Sequence, residues 1–397
     1  MKTVNFLVIS DLHAGLSQDS ASDTKLILRD KHNVFGDRLI NYIKGLDEHI
    51  DYLVCTGDIG NQGCNKSFQA GWEYVNKMAQ ELSIQDILCV PGNHDHQSRP
   101  PQDDKYGFSP KHELQFIQPS FPFSCFNKNT HFWAWNWELT STDTFNVVSI
   151  NSSAYHGYGS EYKHGRIALE ITDQIKQKLI SGKVDRKPFN VLLTHHHPKK
   201  MDFVDSKYDS QAMEGADYLL RALEAADLGP WLIIHGHKHY AQIGYANSQI
   251  QGSQLILSAG SLSAVLYEAI EHRTSNQFYL LSVEPDKSEY LGKVVGKFRT
   301  YEANKLHEWQ PSKSNNLPAN GGFGSTHTPD QVVNDLKKLI NEDNPFLEGD
   351  ELNQFKEKIE HFTPDEICRL NSRLESNMFS VTRCSDNHIV EVGLGNE

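Results

Sequence analysis

Short apolar runs that stop abruptly at polar residues recur along the first 240 residues. Each run has three or four residues rich in Val, Ile and Leu, and Asp, Asn or His follows within three residues. Runs of this length bounded by turn residues predict strands that are buried on both faces. The six runs are Phe6–Ile9, Tyr52–Cys55, Ile87–Val90, Val147–Ile150, Val191–Leu193 and Trp231–Ile234.

Segments with the period of an amphipathic helix separate these runs, over residues 35–46, 68–82, 167–180 and 212–226. Alternating strands and helices predict a layered α/β sheet, and ligands bind beyond the carboxyl ends of such strands. Plain strand patterns follow over residues 255–259, 277–283 and 293–301. We expect these later strands to form a second sheet that packs on the first.

Residues 97–140 interrupt this pattern with five prolines and then an alternating aromatic stripe. We interpret the segment as an insertion that caps the sheet. The stripe Phe132, Trp133, Trp135 and Trp137 has the period of two that is typical of one buried face of a strand.

The C-terminal region is organised differently from the preceding 305 residues, which we assign to one catalytic domain. Residues 306–327 are rich in Pro, Ser, Asn and Gly, which indicates a linker. Thr328-Pro329-Asp330-Gln331 and Thr363-Pro364-Asp365-Glu366 are two similar helix starts with capping-box chemistry. With a further helix over 349–360 and a strand pair over 379–392, residues 328–397 form a small helical module.

Charge is concentrated in that module. The chain of 397 residues has a net charge of −13, and residues 328–397 hold 7 Lys and Arg against 15 Asp and Glu, so −8 lies in the module. This balance disfavours sequence-independent binding to nucleic acid, which needs a basic surface. We expect the module to pack on its own domain, dimerise or bind a protein partner.

Membrane insertion and secretion are not indicated by the pattern. The apolar runs are far shorter than the ~18 residues that cross a bilayer, and the first residues lack the features of a signal peptide. The six cysteines are widely spaced without a Cys-x-x-Cys pair, as is typical of reduced thiols. We therefore expect a soluble, cytoplasmic protein.

The predicted strand ends carry an unusual set of side chains. Histidine is abundant, at 20 of 397 residues, and much of it stands at these ends together with Asp and Asn. Carboxylate, amide and imidazole groups are ligands for Mn, Fe, Zn or Ni. The sets are Asp11-Leu12-His13, Gly57-Asp58, Gly92-Asn93-His94-Asp95, His195-His196-His197-Pro198 and Gly236-His237-Lys238-His239.

This order and spacing resembles the calcineurin-like metallophosphoesterases over residues 4 to about 300. The resemblance implies an α/β/β/α sandwich, in which two mixed sheets are flanked by helices, and a site for two metal ions, with Mn favoured over Fe, Zn or Ni. It implies one metal on Asp11, His13 and His239, a second on Asn93, His196 and His237, and Asp58 between them.

The triple histidine leaves a choice of register. In the family the ligand usually stands two residues before a proline, so Pro198 selects His196, with His195 as the alternative. The resemblance also implies that His94 is the catalytic acid or transition-state stabiliser, and that Asp95 orients its ring.

Departures from the family patterns reduce the number of substrate classes to consider. The arginine of the phosphoprotein phosphatases is missing after Asp58, and Asn61 stands where the repair nucleases usually have a histidine. The remaining motifs most resemble the bacterial cyclic-nucleotide phosphodiesterases. This implies hydrolysis of a small phosphodiester through a metal-bridging hydroxide, with substrate contacts expected at Asn61, His96, Arg99 and His156, and with Tyr155 and His164 as further candidates.

Three alternatives stay open at this point. One is a nuclease that acts on DNA or RNA, although the acidic composition does not favour it. Another is a phosphomonoesterase with the same metal site. The third is a scaffold that keeps the fold but has no catalytic activity.

Overall fold

The computed structural model describes residues 3–17, 23–98, 109–157, 164–201, 211–247, 254–314, 316–383 and 389–395. Its strands are β1 (Val4–Ile9), β2 (Tyr52–Cys55), β3 (Asp86–Cys89), β4 (Trp137–Ser141), β5 (Phe145–Ile150), β6 (Phe189–Leu193), β7 (Trp231–His235), β8 (Gln242–Tyr245), β9 (Leu255–Ser258), β10 (Gln277–Val283), β11 (Gly296–Ala303), β12 (Trp309–Pro311), β13 (Asn320–Phe323), β14 (Phe379–Arg383) and β15 (Ile389–Leu394). The described helices are α1 (Phe35–Gly45), α2 (Asn65–Glu81), α3 (His112–Gln115), α4 (Phe126–Trp135), α5 (Leu169–Ile180), α6 (Ala216–Ala225), α7 (Glu268–Glu271), α8 (Pro285–Leu291), α9 (Pro329–Leu339), α10 (Gly349–Ile359) and α11 (Pro364–Ser376).

Two mixed sheets form the centre of the molecule. The first has the order β12-β11-β10-β1-β2-β3, with β13 also paired to β11, and the second has the order β4-β5-β6-β7-β9-β8. Strands β1, β2 and β3 are parallel neighbours, as are β5, β6, β7 and β9. The predicted α/β sandwich of two mixed sheets flanked by helices is confirmed.

The layers are held together by three apolar clusters. The cluster between the sheets includes Phe6 from the first sheet and Phe145 and Phe189 from the second, with ring centroids 5.1 to 6.4 Å apart. A second cluster joins the first sheet to α1, α2 and α4, and a third joins the second sheet to α5 and α6. Strands that are apolar on both faces are required by this arrangement.

The division of strands between the sheets differs from the sequence-based expectation. Strand β9 belongs to the second sheet, whereas β10 and β11 join β1 in the first sheet. The later strands therefore do not make a sheet of their own. They complete both sheets, because antiparallel β10 pairs with the free side of β1.

The aromatic stripe was wrongly predicted as a strand. Helix α4 runs to Trp135, and Asn136 ends it in a left-handed conformation before β4 begins at Trp137. Trp133 is buried and its indole N–H donates to the carbonyl of Phe121, whereas Trp135 is half exposed. The alternating aromatic residues therefore span the end of a helix and the start of a strand.

The segment predicted as a linker contains two short strands. Strands β12 and β13 both pair antiparallel with β11, at different parts of its length. The buried carboxylate of Glu302 accepts hydrogen bonds from Ser275 and Ser314, each at 2.7 Å, and so holds the intervening loop. The Pro, Ser and Gly content of the segment reflects turns and sheet-edge strands.

The C-terminal module has its own apolar core, formed by α9, α10, α11 and the β14–β15 hairpin. Both capping boxes are present. The Thr328 hydroxyl accepts from the Gln331 N–H and the Thr363 hydroxyl from the Glu366 N–H, and each Gln or Glu side chain accepts from the threonine N–H in return. None of the helices described is both long and apolar enough to cross a membrane.

Candidate metal centre

The polar loops that follow the parallel strands of both sheets meet at one edge of the sandwich. Backbone strain is concentrated there, because five non-glycine residues have positive φ angles between 46° and 74°. Left-handed conformations cost about 1–3 kcal/mol each and cluster at functional sites. The five residues are Asp11, His13, Asp58, His237 and His239.

One group of side chains is formed by Asp11, His13, Asp58 and His239. His13 Nε2 lies 3.2 Å from His239 Nε2 and 3.6 Å from Asp58 Oδ2, and His239 Nε2 lies 3.3 Å from Asp11 Oδ1. One ligand atom from each of the four lies within 4.8 Å of the others, and three of the side chains are buried. This is a spacing at which one cation could contact them all.

A second group shares Asp58 with the first. His195 Nε2 lies 3.2 Å from Asp58 Oδ2 and 3.0 Å from Asn93 Oδ1, and His237 Nδ1 lies 3.0 Å from the same Asn93 oxygen. Asp58 Oδ2 therefore lies between the two groups. Two adjacent cations could share this oxygen.

The contacts around the triple histidine favour His195, the alternative to the His196 that the proline selects. His195 Nε2 contacts both Asp58 Oδ2 and Asn93 Oδ1, whereas His196 Nδ1 bonds to the hydroxyl of Ser152 at 2.9 Å and has no such contact among the described residues, so we predict His195 as the ligand. Side-chain alternation explains the difference. Leu193 faces the core between the sheets and Leu192 faces the helical layer, so His195, two residues on, continues the inner side.

The carboxyl groups of this centre are anionic. Burial would raise the pKa of Asp58, but the neighbouring His195, His94 and His13 together hold this pKa well below its usual range. For Asp11, burial likewise opposes ionisation, and His239 brings its pKa below the usual value. The centre thus contains two buried negative charges.

Two of the imidazoles at the centre, those of His13 and His237, are neutral. Burial, and then the neighbouring His94, lowers the pKa of His13 to about 3, and burial lowers that of His237 well below its usual range. His195 differs: burial alone would lower its pKa, but Asp58 raises it to about 9. Its Nδ1–H donates to the Thr56 carbonyl at 2.8 Å, so Nε2 faces the carboxylate and a cation there would displace its proton.

The residues present fit a pair of metal ions. Two carboxylates, one amide oxygen and four imidazoles converge, and the strained backbone is what brings ligand atoms from Asp11-x-His13 and His237-x-His239 to one side. Such O and N donors suit Mn, Fe, Zn or Ni. Gly236 permits the approach, since a side chain there would overlap Ser10 Oγ and Asp11 Oδ2.

His94 lies at this centre, but Asp95 does not orient its ring. His94 is half-buried and its ring centroid lies 4.6 Å from that of His13, while its backbone N–H donates to Asp58 Oδ1 at 2.7 Å. Both Asp95 carboxylate oxygens accept backbone N–H groups, from Gly60 at 2.7 Å and Gly92 at 2.8 Å. Asp95 therefore joins the two loops that carry Asp58 and Asn93.

Several residues that were predicted to contact the substrate are buried inside the protein. His96 and His156 are each 1% exposed, and they bond to Gly92 O and His164 O respectively, so both are internal. Asn61 is buried and bonds to Asp23 through its amide. Arg99 lies outside the described residues. The Tyr155 ring stacks under the Arg166 guanidinium at 4.7 Å, and His164 is exposed.

Sequence reasoning missed two buried hydroxyls beneath the centre. Thr56 Oγ1 donates to Ser10 Oγ at 2.6 Å, and Ser10 Oγ donates to Asp11 Oδ2 at 2.5 Å. Both residues are fully buried. Their position was a usable signal, because each is the first polar residue after a buried strand.

Comparison with known proteins places this centre in a family. A family model for calcineurin-like phosphoesterases matches residues 4–241, more than half of the chain. The chain belongs to the calcineurin-like phosphoesterase family. With its Asp and His cluster, this member is a metal-dependent phosphoric ester hydrolase. A further model, wHTH-Calcineurin_assc, matches residues 321–376, so the C-terminal module is a winged helix-turn-helix. A comparison with curated proteins gives no match.

Several solved structures are similar to this chain at low identity. A purple acid phosphatase from yellow lupin (Lupinus luteus) seeds is 14% identical over 75% of this chain and 51% of its own, with a TM-score of 0.47. A dimetal phosphatase from Danio rerio is 15% identical over 70% and 94%, with a TM-score of 0.44. The Haemophilus influenzae NAD nucleotidase is 10% identical over 95% and 67%, at 0.35. The chain spans about half the length of the lupin enzyme, and none of these likenesses indicates its substrate.

Proposed function

We propose that this phosphoesterase hydrolyses a phosphodiester of the small-nucleotide or cyclic-nucleotide type with two bound metal ions. The observation that carries the proposal is the pair of ligand groups that share Asp58 Oδ2. Asp11, His13 and His239 would hold one ion, and Asn93, His195 and His237 the other. Mn²⁺ is our first choice for both positions.

Bound ions in such a pair polarise the phosphoryl oxygens and lower the pKa of a coordinated water. The chain's own residues supply the geometry. Asp58 accepts the His94 N–H through Oδ1 and leaves Oδ2 facing His13 and His195, so its carboxylate is oriented before any ion binds. Asn93 accepts from His195 and His237 through its amide oxygen, and the donor set is thereby preorganised.

His94 is the proposed proton donor to the departing alkoxide. It is half-buried beside His13, and its buried Nδ1 has no hydrogen-bond partner within the described part of the chain. An imidazole positioned at a reacting oxygen can assist by about 10²–10⁴-fold. Asp95, which fixes the loop through Gly60 and Gly92, is a positioning residue in this proposal.

The preference for a diester follows from charge. A monoester is largely dianionic near neutral pH and a diester is monoanionic, so the monoester gains more from an added arginine. The loop Ile59–Gly63 after Asp58 contains no arginine and offers the amides of Asn61 and Gln62 instead. Both amides bond to Asp23, which adds negative charge to this side of the centre.

The test is hydrolysis of bis-p-nitrophenyl phosphate and p-nitrophenyl phosphate by the full chain with Mn²⁺, alongside 2′,3′- and 3′,5′-cyclic nucleotides. We expect the diester to be cleaved faster, with loss of cleavage after chelation. Cleavage of the monoester alone would contradict the diester proposal, and preferential degradation of long DNA or RNA would identify a nuclease.

Two variants separate metal binding from proton donation. His94→Ala is expected to lower kcat by about 10²–10⁴-fold while metal content, measured by mass spectrometry, stays at the wild-type value. Asp58→Asn is expected to lose both metal and activity. Wild-type activity in His94→Ala on a substrate with a poor leaving group would exclude this residue as the donor.

A further inference from the structure

The winged helix-turn-helix module has a face whose usual ligand is duplex DNA. From the order of elements, we take α10, the following turn and α11 as the helix-turn-helix, and the β14–β15 hairpin, which follows the matched residues, as the wing. In DNA-binding proteins of this kind the second helix enters the major groove, and its N-terminal residues contact the base edges. The question is therefore which groups lie against the N-terminus of α11 in this chain.

In this chain the turn before α11 lies against the edge of the first sheet. The Gly322 N–H donates to the Phe362 carbonyl at 3.4 Å and the Ser325 N–H donates to the His361 carbonyl at 3.1 Å. Gly322 lies in β13 and Ser325 follows that strand, so backbone of the helix-turn-helix continues the hydrogen bonding of this edge strand. A side chain at Gly322 would overlap the Glu360 carbonyl, which shows how closely the two backbones approach.

Charged groups add to the same contact. Lys297 on β11 pairs with Glu360 at 2.5 Å, and His361 Nδ1 lies 3.2 Å from the Gly296 carbonyl, with Nε2 3.5 Å from Glu284. The contact thus runs along β11 and reaches the residue before α8. It joins the turn of the helix-turn-helix to the catalytic domain, and the half-exposed pair of Lys297 and Glu360 lies at its rim.

The first turn of α11 also approaches the edge of the second sheet. Thr363 and Glu366 are 1% and 2% exposed, and β8 is the outermost strand of that sheet. Burial, and then the Glu366 charge, raises the pKa of Tyr245 on β8. A cleft of about 770 Å³ lies between Tyr245, α9 and α11.

Charge on this face is unfavourable for phosphates. Asp365 and Glu366 occupy the first turn of α11, and Arg373 is paired with Asp330 at 3.0 Å. The whole module is acidic as well, with a net charge of −8 over residues 328–397. Tight binding to DNA needs several cations that face phosphates.

We infer that the helix-turn-helix face binds the chain's own catalytic domain, where it covers the outer strands of both sheets, β13 and β8. This inference goes beyond the proposed hydrolysis and does not depend on it. Uncovered edge strands pair with other chains, and a helix over the edge prevents this. The module is thus a structural part of the hydrolase that does not read sequence.

The test is amide hydrogen exchange on the full chain, combined with calorimetric unfolding. In the wild type, the Ser325 and Gly322 amides should exchange as slowly as those of β11, and the chain should unfold in a single transition. Fast exchange at both amides, or an early separate transition of the module, would overturn the inference.

Two glycine variants provide a matched pair. Gly322→Ala should displace the turn and speed exchange at Ser325 by at least about tenfold, whereas Gly244→Ala on β8, whose added carbon meets Asp365 at an ordinary 3.6 Å, should not. If Gly322→Ala does not fold, the wild-type exchange rates decide. Binding of a fluorescent 30-base-pair duplex by the wild-type chain, with affinity that falls steeply with salt, would also overturn the inference.

Discussion

The loops that carry the predicted metal ligands and the winged-helix module differ in their backbone conformation. The loops bring buried, ionisable side chains together, and five of their residues adopt left-handed conformations. In the described part of the module, Met378 alone among non-glycine residues has a positive φ, and the helices begin with regular capping boxes. The comparison teaches that left-handed backbone is more frequent where the predicted metal ligands converge than in the module.

The two regions also differ in what stabilises them. The module depends on its local helix starts and on a small apolar core around Val332, Leu336 and Leu370. The loops depend on the large core between the sheets, since nothing local favours positive φ at Asp11 or Asp58. A change in a loop should therefore reduce metal binding, whereas a change in the module should reduce stability.

The largest effect on metal content and activity is expected from replacement of His195, and not of the adjacent His196. Replacement of His195 by Ala removes a side chain that contacts both Asp58 and Asn93, and we expect the bound metal to fall from two ions to one per chain. Activity should fall by more than about 100-fold, because even residues behind the ligands cost 10–100-fold. Titration calorimetry with Mn²⁺ measures the number of ions.

The matched control is His196→Ala. His196 bonds to Ser152 through Nδ1 and makes no contact with Asp58 or Asn93 in the described part of the chain, so we expect both ions to remain bound. Loss of an ion in His196→Ala but not in His195→Ala would restore the proline-based assignment and contradict the geometry described above.

A smaller effect should come from beneath the ligands. Ser10→Ala removes the hydroxyl that donates to Asp11 and accepts from Thr56. We expect the affinity for Mn²⁺ to fall by about 10–100-fold with the fold intact, as for other residues that orient ligands. The affinity comes from competition with a metal-sensitive dye. An unchanged affinity together with a lower melting temperature of the metal-free protein would show that Ser10 acts only in folding.

The smallest effect should appear in the module. Thr328→Ala removes the capping box of α9, and we expect a loss of about 1 kcal/mol of unfolding free energy, with metal content and kcat unchanged. Chemical denaturation measures this loss, and Thr326→Ala, two residues earlier on the exposed chain, serves as control. A fall in kcat for Thr328→Ala would mean that the two regions are functionally coupled and that the comparison is too simple.

Local patterns predicted a large part of this molecule. The apolar runs correctly located β1, β2, β3 and β5, and capping chemistry correctly located the starts of α9 and α11. The prediction for Trp133–Trp137 was wrong because an alternating aromatic stripe of five residues also fits the end of a helix followed by a turn. Residues 306–327 were taken for a linker, since β11, the partner strand that orders β12 and β13 within them, is not visible in their own composition.

The sequence by itself determined which ligand types this protein carries and that they follow strands, because buried strands and their polar ends are properties of adjacent residues. Only the tertiary structure decided that His195 and not His196 faces Asn93, that Asp95 joins two loops, and that β10 pairs with β1. Those outcomes depend on the side of the sheet that each residue occupies and on contacts between segments far apart in the chain. A local pattern contains neither kind of information.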